Sequence, residues 1–161
     1  MKKWIGVAGV LFLSAGAVAG QDEAREVFAV AASSSLTFMS ERVVEDVSQS
    51  FLQYTKAGRT GLISEMERVG VLGPAVNKGM SLRTNMTSST VAVARRVGSN
   101  GLDEYDMRGV AVLQWTKCGT SGCVDSGDSK KAVITGVVVS MVLNGRPGYR
   151  VSSITLSEGN K

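Results

Sequence analysis

The first half of the chain carries apolar residues at helical spacing. Between Gln21 and Lys78 these positions recur every three to five residues, as in a helix that buries one face: Phe28, Ala31, Leu36, Met39, Val43, Val47 and Phe51. The serines Ser33–Ser35 compete for backbone hydrogen bonds and predict a break. A second helix is predicted around Leu62, Ile63, Met66 and Val69. It ends before Leu72-Gly73-Pro74, and a short turn follows over Ala75–Met80.

The second half changes to the period of β-strands. Four strands are predicted, separated by turns at Asn100-Gly101 and Asn144–Gly148: Ser81–Val97, Asp103–Trp115, Lys131–Leu143 and Tyr149–Leu156. Helices followed by an antiparallel meander predict an α+β fold, with the N-terminal helices packed on one face of a four-stranded antiparallel sheet. The inward positions Met107, Leu113, Val138 and Val142 are apolar, which indicates a plain core rather than a ligand pocket.

The N-terminus has the pattern of an export signal. Lys2 and Lys3 precede an uncharged stretch, Trp4–Ala19, which ends in the small-x-small motif Ala17-Val18-Ala19. We therefore predict a signal peptide over residues 1–20, cleaved after Ala19 or Gly20, and one domain over residues 21–161. The alternative is an uncleaved anchor, although the stretch is short for a membrane span, which needs roughly 20 residues. Either reading places the rest of the chain outside the cytoplasm.

Charge and composition narrow the range of functions. Loss of Lys2 and Lys3 from 18 Lys+Arg leaves 16 against 14 Asp+Glu, a net charge of +2. This is an ordinary surface, without the clustered cations and interleaved aromatics of a nucleic-acid-binding protein. The chain has no histidine, the commonest general base and zinc ligand.

Two cysteines, Cys118 and Cys123, are the chain's only ones. They could form a redox pair, half of a metal site or a disulfide. The absent histidines argue against the first two, and export to an oxidising compartment favours the disulfide. We predict that it closes the start of a mobile connection over Trp115–Lys130, with a stabilisation of roughly 2 kcal/mol for so short a loop.

No set of residues forms a recognisable catalytic, cofactor-binding or metal-binding site. The helical acids are spaced as solvated surface residues. Tyr105 and Asp106 are neighbours on an alternating strand and point to opposite faces, so they do not form an acid–tyrosine pair. We therefore expect no catalytic residue, no cofactor and no metal.

Tyr54-Thr55 with Gly58 stands ahead of the Leu62–Val69 helix, and Leu72–Met80 enters the first strand. These segments carry a resemblance to the DotI/IcmL/TraM family of type IV secretion and conjugation proteins. The resemblance extends to Thr37-Phe38 near the end of the first helix and to the strand Glu104–Val112. Together these segments place the match over Arg25 to Leu156.

The resemblance implies a cystatin-like, nuclear-transport-factor-2-like fold with a curved sheet. This fold is shared with the periplasmic domain of the VirB-type inner-membrane scaffold. It also implies a non-enzymatic assembly role in the periplasm. The chain departs from the family pattern in its short leader, which stands where a cytoplasmic segment and full membrane span are expected, and in the CGTSGC stretch. Those departures indicate a soluble or weakly anchored relative.

Two functions follow as expectations. The first is an interaction protein of a type IV secretion or conjugation envelope complex, which binds other complex proteins through sheet edges or the exposed sheet face and forms homo-oligomers. A retained leader would add an inner-membrane association, and nucleic acid is not an expected partner. The alternative is a periplasmic ligand-binding or enzymatic protein of the same fold, with a pocket between helix and sheet.

Overall fold

The computed structural model describes residues 12–119 and 122–158. Within them the chain first forms four α-helices, with a 3-10 helix over Phe51–Gln53: α1 (Phe12–Ser35), α2 (Val43–Ser50), α3 (Lys56–Arg68) and α4 (Leu72–Lys78). Five strands follow: β1 (Met80–Asn85), β2 (Ala92–Val97), β3 (Asp103–Gly119), β4 (Gly122–Leu143) and β5 (Arg146–Glu158). The predicted α+β fold, with helices packed on an antiparallel sheet, is confirmed.

Local side-chain chemistry sets the helix ends. α1 ends at Ser35, within the predicted serine run, and the Ser35 hydroxyl donates to the Ala31 carbonyl at 2.7 Å. Thr55 caps α3, where its hydroxyl accepts from the Gly58 N–H at 3.1 Å. Pro74 lies in the first turn of α4, where an absent N–H costs nothing. The short predicted turn is therefore this helix, which begins at Leu72 rather than at Ala75.

The sheet has five strands rather than four because the first predicted strand is divided. β1 pairs with residues 112–117 of β3 and β2 pairs with residues 103–108, so the two lie end to end along one side of β3. Between them Met86 and Val91 turn into the core. A side chain at Gly109 would come within 2.7 Å of the Met86 sulfur, so this glycine makes room for the inward turn. β4 and β5 follow β3 in order, which completes the predicted meander.

The predicted Trp115–Lys130 connection is wrong. β3 continues to Gly119 and β4 starts at Gly122, so the two strands form one long hairpin, with residues 120 and 121 outside the described part of the chain. Residues of β3 as far as Lys117 pair with β1, which holds this part of the chain in a strand. Gly, Ser and Asp residues in β4 therefore occupy a strand that sequence propensity alone disfavours.

One cluster of buried residues joins the helices to the inner face of the sheet. Predicted core positions that are buried include Phe28, Ala31, Leu36, Val47, Leu62, Met66, Met107, Leu113 and Val138. Four apolar positions from the predictions are exposed instead: Met39, Ile63, Val69 and Val142. Met39 lies beyond the end of α1. Val142, at 72% exposure, pairs with Pro147 next to the β4–β5 turn. No helix in the described ranges is long and apolar enough to cross a membrane.

Candidate interaction surfaces

The edges of the sheet differ in how well they are covered. β1 is closed by the segment that links α1 to α2. Phe38 and Leu82 exchange backbone hydrogen bonds in both directions, each at 2.9 Å. The Thr84 N–H donates to the Thr37 hydroxyl at 3.0 Å, and the Met86 N–H donates to the Ser33 hydroxyl at 3.2 Å. A further strand therefore has no free donors to join along this part of the edge.

The helices cover the edge of β5 at Val151 and Leu156. Tyr54 forms a parallel bridge with Val151, in which the Thr55 N–H donates to the Val151 carbonyl at 2.9 Å. Further along, two side chains of α3 take the place of a neighbouring strand. The Leu156 N–H donates to the Glu65 carboxylate at 2.6 Å, and the Arg68 guanidinium donates to the Leu156 carbonyl at 2.6 Å. We call Glu65, Arg68 and Leu156 the β5 clamp.

The clamp is held by its own ion pair. Arg68 donates to both carboxylate oxygens of Glu65, at 2.6 and 2.8 Å. The Glu65 side chain is only 12% exposed, so these bonds lie partly out of water. The hydrogen bond from Arg68, together with the one from the Leu156 N–H, lowers the pKa of Glu65 below its ordinary 4.5.

A pH-dependent contribution to stability follows from the clamp. Because the folded pKa of Glu65 is lowered, its contribution is complete above pH 4.5 and is lost as the pH falls through the lower folded value. We expect Glu65→Gln to reduce the melting temperature at pH 7, and the difference from wild type to shrink on acidification. Thermal unfolding followed by circular dichroism from pH 7 to pH 3 measures this. Glu67→Gln, on the exposed side of α3, is the control, and an equal loss for both variants would contradict the role of the clamp.

β2 differs from the other edge strands. It pairs only with β3, and within residues 12–119 and 122–158 no other group bonds to its outer backbone edge. Its two arginines are engaged by carboxylates of β3. Arg95 pairs with Asp103 at 2.8 Å, and Arg96 pairs with Glu104 at 2.7 Å and with Asp106 at 3.1 Å. This strand is an open but charge-balanced edge.

The helical layer carries an apolar groove of about 300 Å³ between α2, α3 and α4. Its lining is mostly three valines with Phe51, Ile63 and Leu72, and one of those valines, Val44, is 79% exposed. A larger groove of about 710 Å³ lies between α1, α2 and β1. Its carboxylate, Asp46, accepts from the Met39 N–H at 2.9 Å and so anchors the loop before α2.

Three tyrosines of the core and its margin contact other hydroxyl or aromatic groups. The hydroxyls of Tyr54 and Ser35 lie 2.9 Å apart, and burial raises the pKa of Tyr54 above its ordinary value. Tyr105 and Tyr149 stack edge to face at 5.8 Å, and burial together with their hydrogen bond raises the pKa of Tyr149 to about 12. Tyr54 and Tyr149 therefore stay neutral at ordinary pH. In the described ranges no histidine, cysteine or acid side chains gather as a metal site would need.

The residues that the sequence singled out are the two cysteines and the predicted cleavage site. Cys118 of β3 is directly opposite Cys123 of β4 in the backbone register. Opposite residues of an antiparallel pair have Cα atoms about 4.5–5.5 Å apart, within the range that disulfides span. The disulfide itself stays a prediction. Ala19 and Gly20 lie inside α1, where a side chain at Gly20 would come 2.9 Å from the Tyr149 hydroxyl. Cleavage there also stays a prediction.

Removal of the cysteine pair is expected to have a modest effect. With Cys118→Ser and Cys123→Ser together, we expect the free energy of unfolding to fall by about 2 kcal/mol while the fold persists. The hairpin is already held by the pairing of β3 with β4, which limits the loss. Urea unfolding with and without reductant measures the effect. A double mutant unfolded at room temperature, or a wild-type protein indifferent to reductant, would contradict the prediction.

The sequence matches no protein-family model and no curated relative. Solved structures do share its fold. A periplasmic fragment of TraM superposes with a TM-score of 0.71 at 10% identity, over 86% of this chain and 98% of that one. The periplasmic domain of DotI gives 0.68 at 13% identity, over 99% and 100%. An IcmL-like type IV secretion system protein from Legionella pneumophila gives 0.66 at 6% identity, over 85% and 91%.

The chain has the fold of these periplasmic domains. The resemblance to the DotI/IcmL/TraM family that the sequence predicted is therefore confirmed at the level of the fold. Identities of 6–13% carry the architecture and leave function to be argued separately.

Proposed function

We propose that the protein is a non-enzymatic periplasmic component or accessory of a type IV secretion or conjugation envelope complex, acting through protein–protein contacts. The observation that carries this proposal is the similarity to the DotI periplasmic domain over 99% of this chain and 100% of that domain. The export signal predicted over residues 1–20 supports the periplasmic location.

The surface of the molecule suits an interaction role. Parts of two sheet edges are covered by specific hydrogen bonds, whereas the outer edge of β2 and the apolar groove of the helices are open to a partner. A groove lined almost entirely by aliphatic and aromatic side chains, with an exposed valine beside it, is typical of a surface that a partner covers. The buried hydroxyls are satisfied within the fold and are not presented to a substrate.

Cross-linking to neighbouring proteins in the cell envelope tests this function. The tagged full chain is cross-linked in cells that carry the complete secretion system, and the bound proteins are identified by mass spectrometry. We expect secretion-system components to be recovered with the tagged chain. An unrelated exported domain that carries the same tag is the control and is expected to recover none of them. Recovery of none of these components from a folded, envelope-located chain would overturn the proposal.

Location is tested separately. Cell fractionation is expected to place the protein in the periplasmic fraction, and N-terminal sequencing of the purified protein is expected to start at Gly20 or Gln21. A start at Met1 in the membrane fraction would instead establish the retained anchor.

A further inference from the structure

A pocket of about 180 Å³ lies where the turn between α3 and α4 meets one end of the sheet. Gly70, with a φ of 69°, lies in this turn, and β3, β4 and β5 supply the other walls. Most of the lining side chains are apolar, among them Val71, Pro74, Leu113, Trp115 and Leu156. Because a cavity of roughly 150 Å³ takes up a benzene ring, this pocket has room for one ring or one branched alkyl group.

Two exposed side chains of opposite charge stand at the rim of the pocket. In the backbone register, Lys130 is opposite Leu113 and Glu158 is opposite Ala132. Opposite residues of an antiparallel pair share a face, so both charged residues belong to the inner face, with the pocket wall. The neighbouring Lys131 also lines the pocket, but the alternation of β4 places its side chain on the other face.

The two rim charges are not paired with each other. Within residues 12–119 and 122–158, neither Lys130 nor Glu158 takes part in an ion pair or a side-chain hydrogen bond. They occupy diagonal positions, because Glu158 is opposite Ala132 and Lys130 lies two residues further along β4. Diagonal neighbours are about 7–8 Å apart, which leaves between the two charges a space that a small ligand can bridge.

We propose that this pocket binds a free α-amino acid with an apolar side chain of the size of leucine or phenylalanine. The side chain fills the apolar pocket, the α-carboxylate pairs with Lys130 and the α-ammonium pairs with Glu158. A zwitterion satisfies both rim charges at once, which an acid or an amine alone does not. The site goes beyond the proposed function, because it concerns a small molecule and needs no secretion component.

The fluorescence of Trp115 reports on the pocket directly, since this side chain forms part of its wall. The chain has two tryptophans, so Trp4→Phe in the full chain leaves Trp115 as the only one. We expect a saturable change in emission when this variant is titrated with L-leucine. A dissociation constant of about 0.1–10 mM is expected for a ligand with so few atoms. No saturable change, with no binding by calorimetry, would overturn the proposal.

Analogues of leucine separate the three parts of the site. 4-Methylpentanoate lacks the ammonium and 3-methylbutylamine lacks the carboxylate. Each is expected to bind about two- to fivefold more weakly than leucine, as for the loss of an exposed ion pair. Alanine leaves the pocket unfilled and is expected to bind at least about tenfold more weakly. Binding of either single-charge analogue as tightly as leucine would overturn the zwitterion, and binding of alanine as tightly would overturn the pocket.

Substitution of the rim residues assigns each charge to its partner. We expect Lys130→Gln to weaken leucine binding about two- to fivefold and to leave 3-methylbutylamine binding unchanged. Glu158→Gln is expected to weaken leucine binding by a similar factor without weakening 4-methylpentanoate. Both residues are exposed, so the variants are expected to fold.

Lys56→Gln is the matched control for the change in net charge. Lys56 is exposed at the start of α3, about 18 Å along the helix from the end that adjoins the pocket. Its substitution is expected to leave leucine binding unchanged. Wild-type affinity in Lys130→Gln, or an equal loss in Lys56→Gln, would overturn the assignment of the carboxylate to Lys130.

Discussion

Replacing Gly58 with alanine is expected to lower the free energy of unfolding by about 2–3 kcal/mol, although alanine favours a helix over glycine by about 1 kcal/mol. Gly58 lies in the first turn of α3, where the helix rests directly on the backbone of β5. A methyl group there would overlap the Val151 carbonyl oxygen and come within 3.2 Å of the Tyr54 ring. The overlap is with backbone, so α3 must move away from the sheet.

That movement has a second consequence. The Val151 carbonyl accepts from the Thr55 N–H, next to the start of α3, so displacement of the helix weakens this bond and loosens the β5 clamp. We expect Gly58→Ala to show more intermolecular association on heating than other variants of equal stability, since the edge of β5 becomes available.

Gly61→Ala is the matched control in the same helix. Nothing lies within 4 Å of a side chain at Gly61, so this change is expected to stabilise the protein by about 0.5–1 kcal/mol. Urea unfolding followed by circular dichroism measures both variants. If the two glycine substitutions changed stability in the same direction, the close approach of α3 to β5 would be wrong.

Phe28→Ala is expected to be the most destabilising single change, at about 3–5 kcal/mol. Phe28 is fully buried on α1, and its ring lies over Gly136 of β4, where a side chain would come within 2.8 Å of it. The Phe28 ring occupies the space that a side chain at position 136 would need. Truncation of Phe28 therefore leaves a cavity between helix and sheet that the backbone cannot close. A loss this large is a substantial part of the 5–15 kcal/mol typical of a domain.

Val30→Ala, two residues along the same helix, separates the loss of packing from the change in helix propensity. Val30 is 46% exposed, and its substitution is expected to change the stability by less than about 0.5 kcal/mol. Chemical unfolding of both variants at one temperature gives the comparison. If Phe28→Ala lowered the free energy of unfolding no more than Val30→Ala does, α1 would not be packed tightly against the sheet.

The helices and the meander could be predicted from the sequence because burial on one face imposes a period. Phe28, Leu36 and Leu62 follow the helical spacing, and Tyr105, Met107 and Ala111 follow the alternation of a strand. Such patterns are local, so they can be read without knowing what the face packs against. Met39 was misjudged because it continues the spacing of α1 beyond the residue where that helix ends.

Features that depend on distant residues could not be predicted in this way. The division of the first strand requires the inward turn of Met86 and Val91, which only the space at Gly109 permits. The Gly-Ser-Asp run of β4 is a strand because β3 holds it, against its own propensity.

The contacts at the sheet edges could not be predicted from the sequence either. Glu65 and Arg68 stand three residues apart, a spacing that predicts an ion pair on a helix surface. Nothing in that spacing points to Leu156, 91 residues from Glu65, as the group that the pair covers. The open edge of β2 was equally hidden, since a sequence does not show which strands lack a neighbour. The backbone pairing of Cys118 with Cys123 likewise depends on the hairpin register.

β5 is the last element of the fold, yet it holds the first ones in place. The bridge from Tyr54 requires Val151 and the clamp of α3 requires Leu156, and α1 also contacts β5. During synthesis the helices therefore emerge long before the strand on which they dock, and their packing cannot be completed until β5 has left the ribosome.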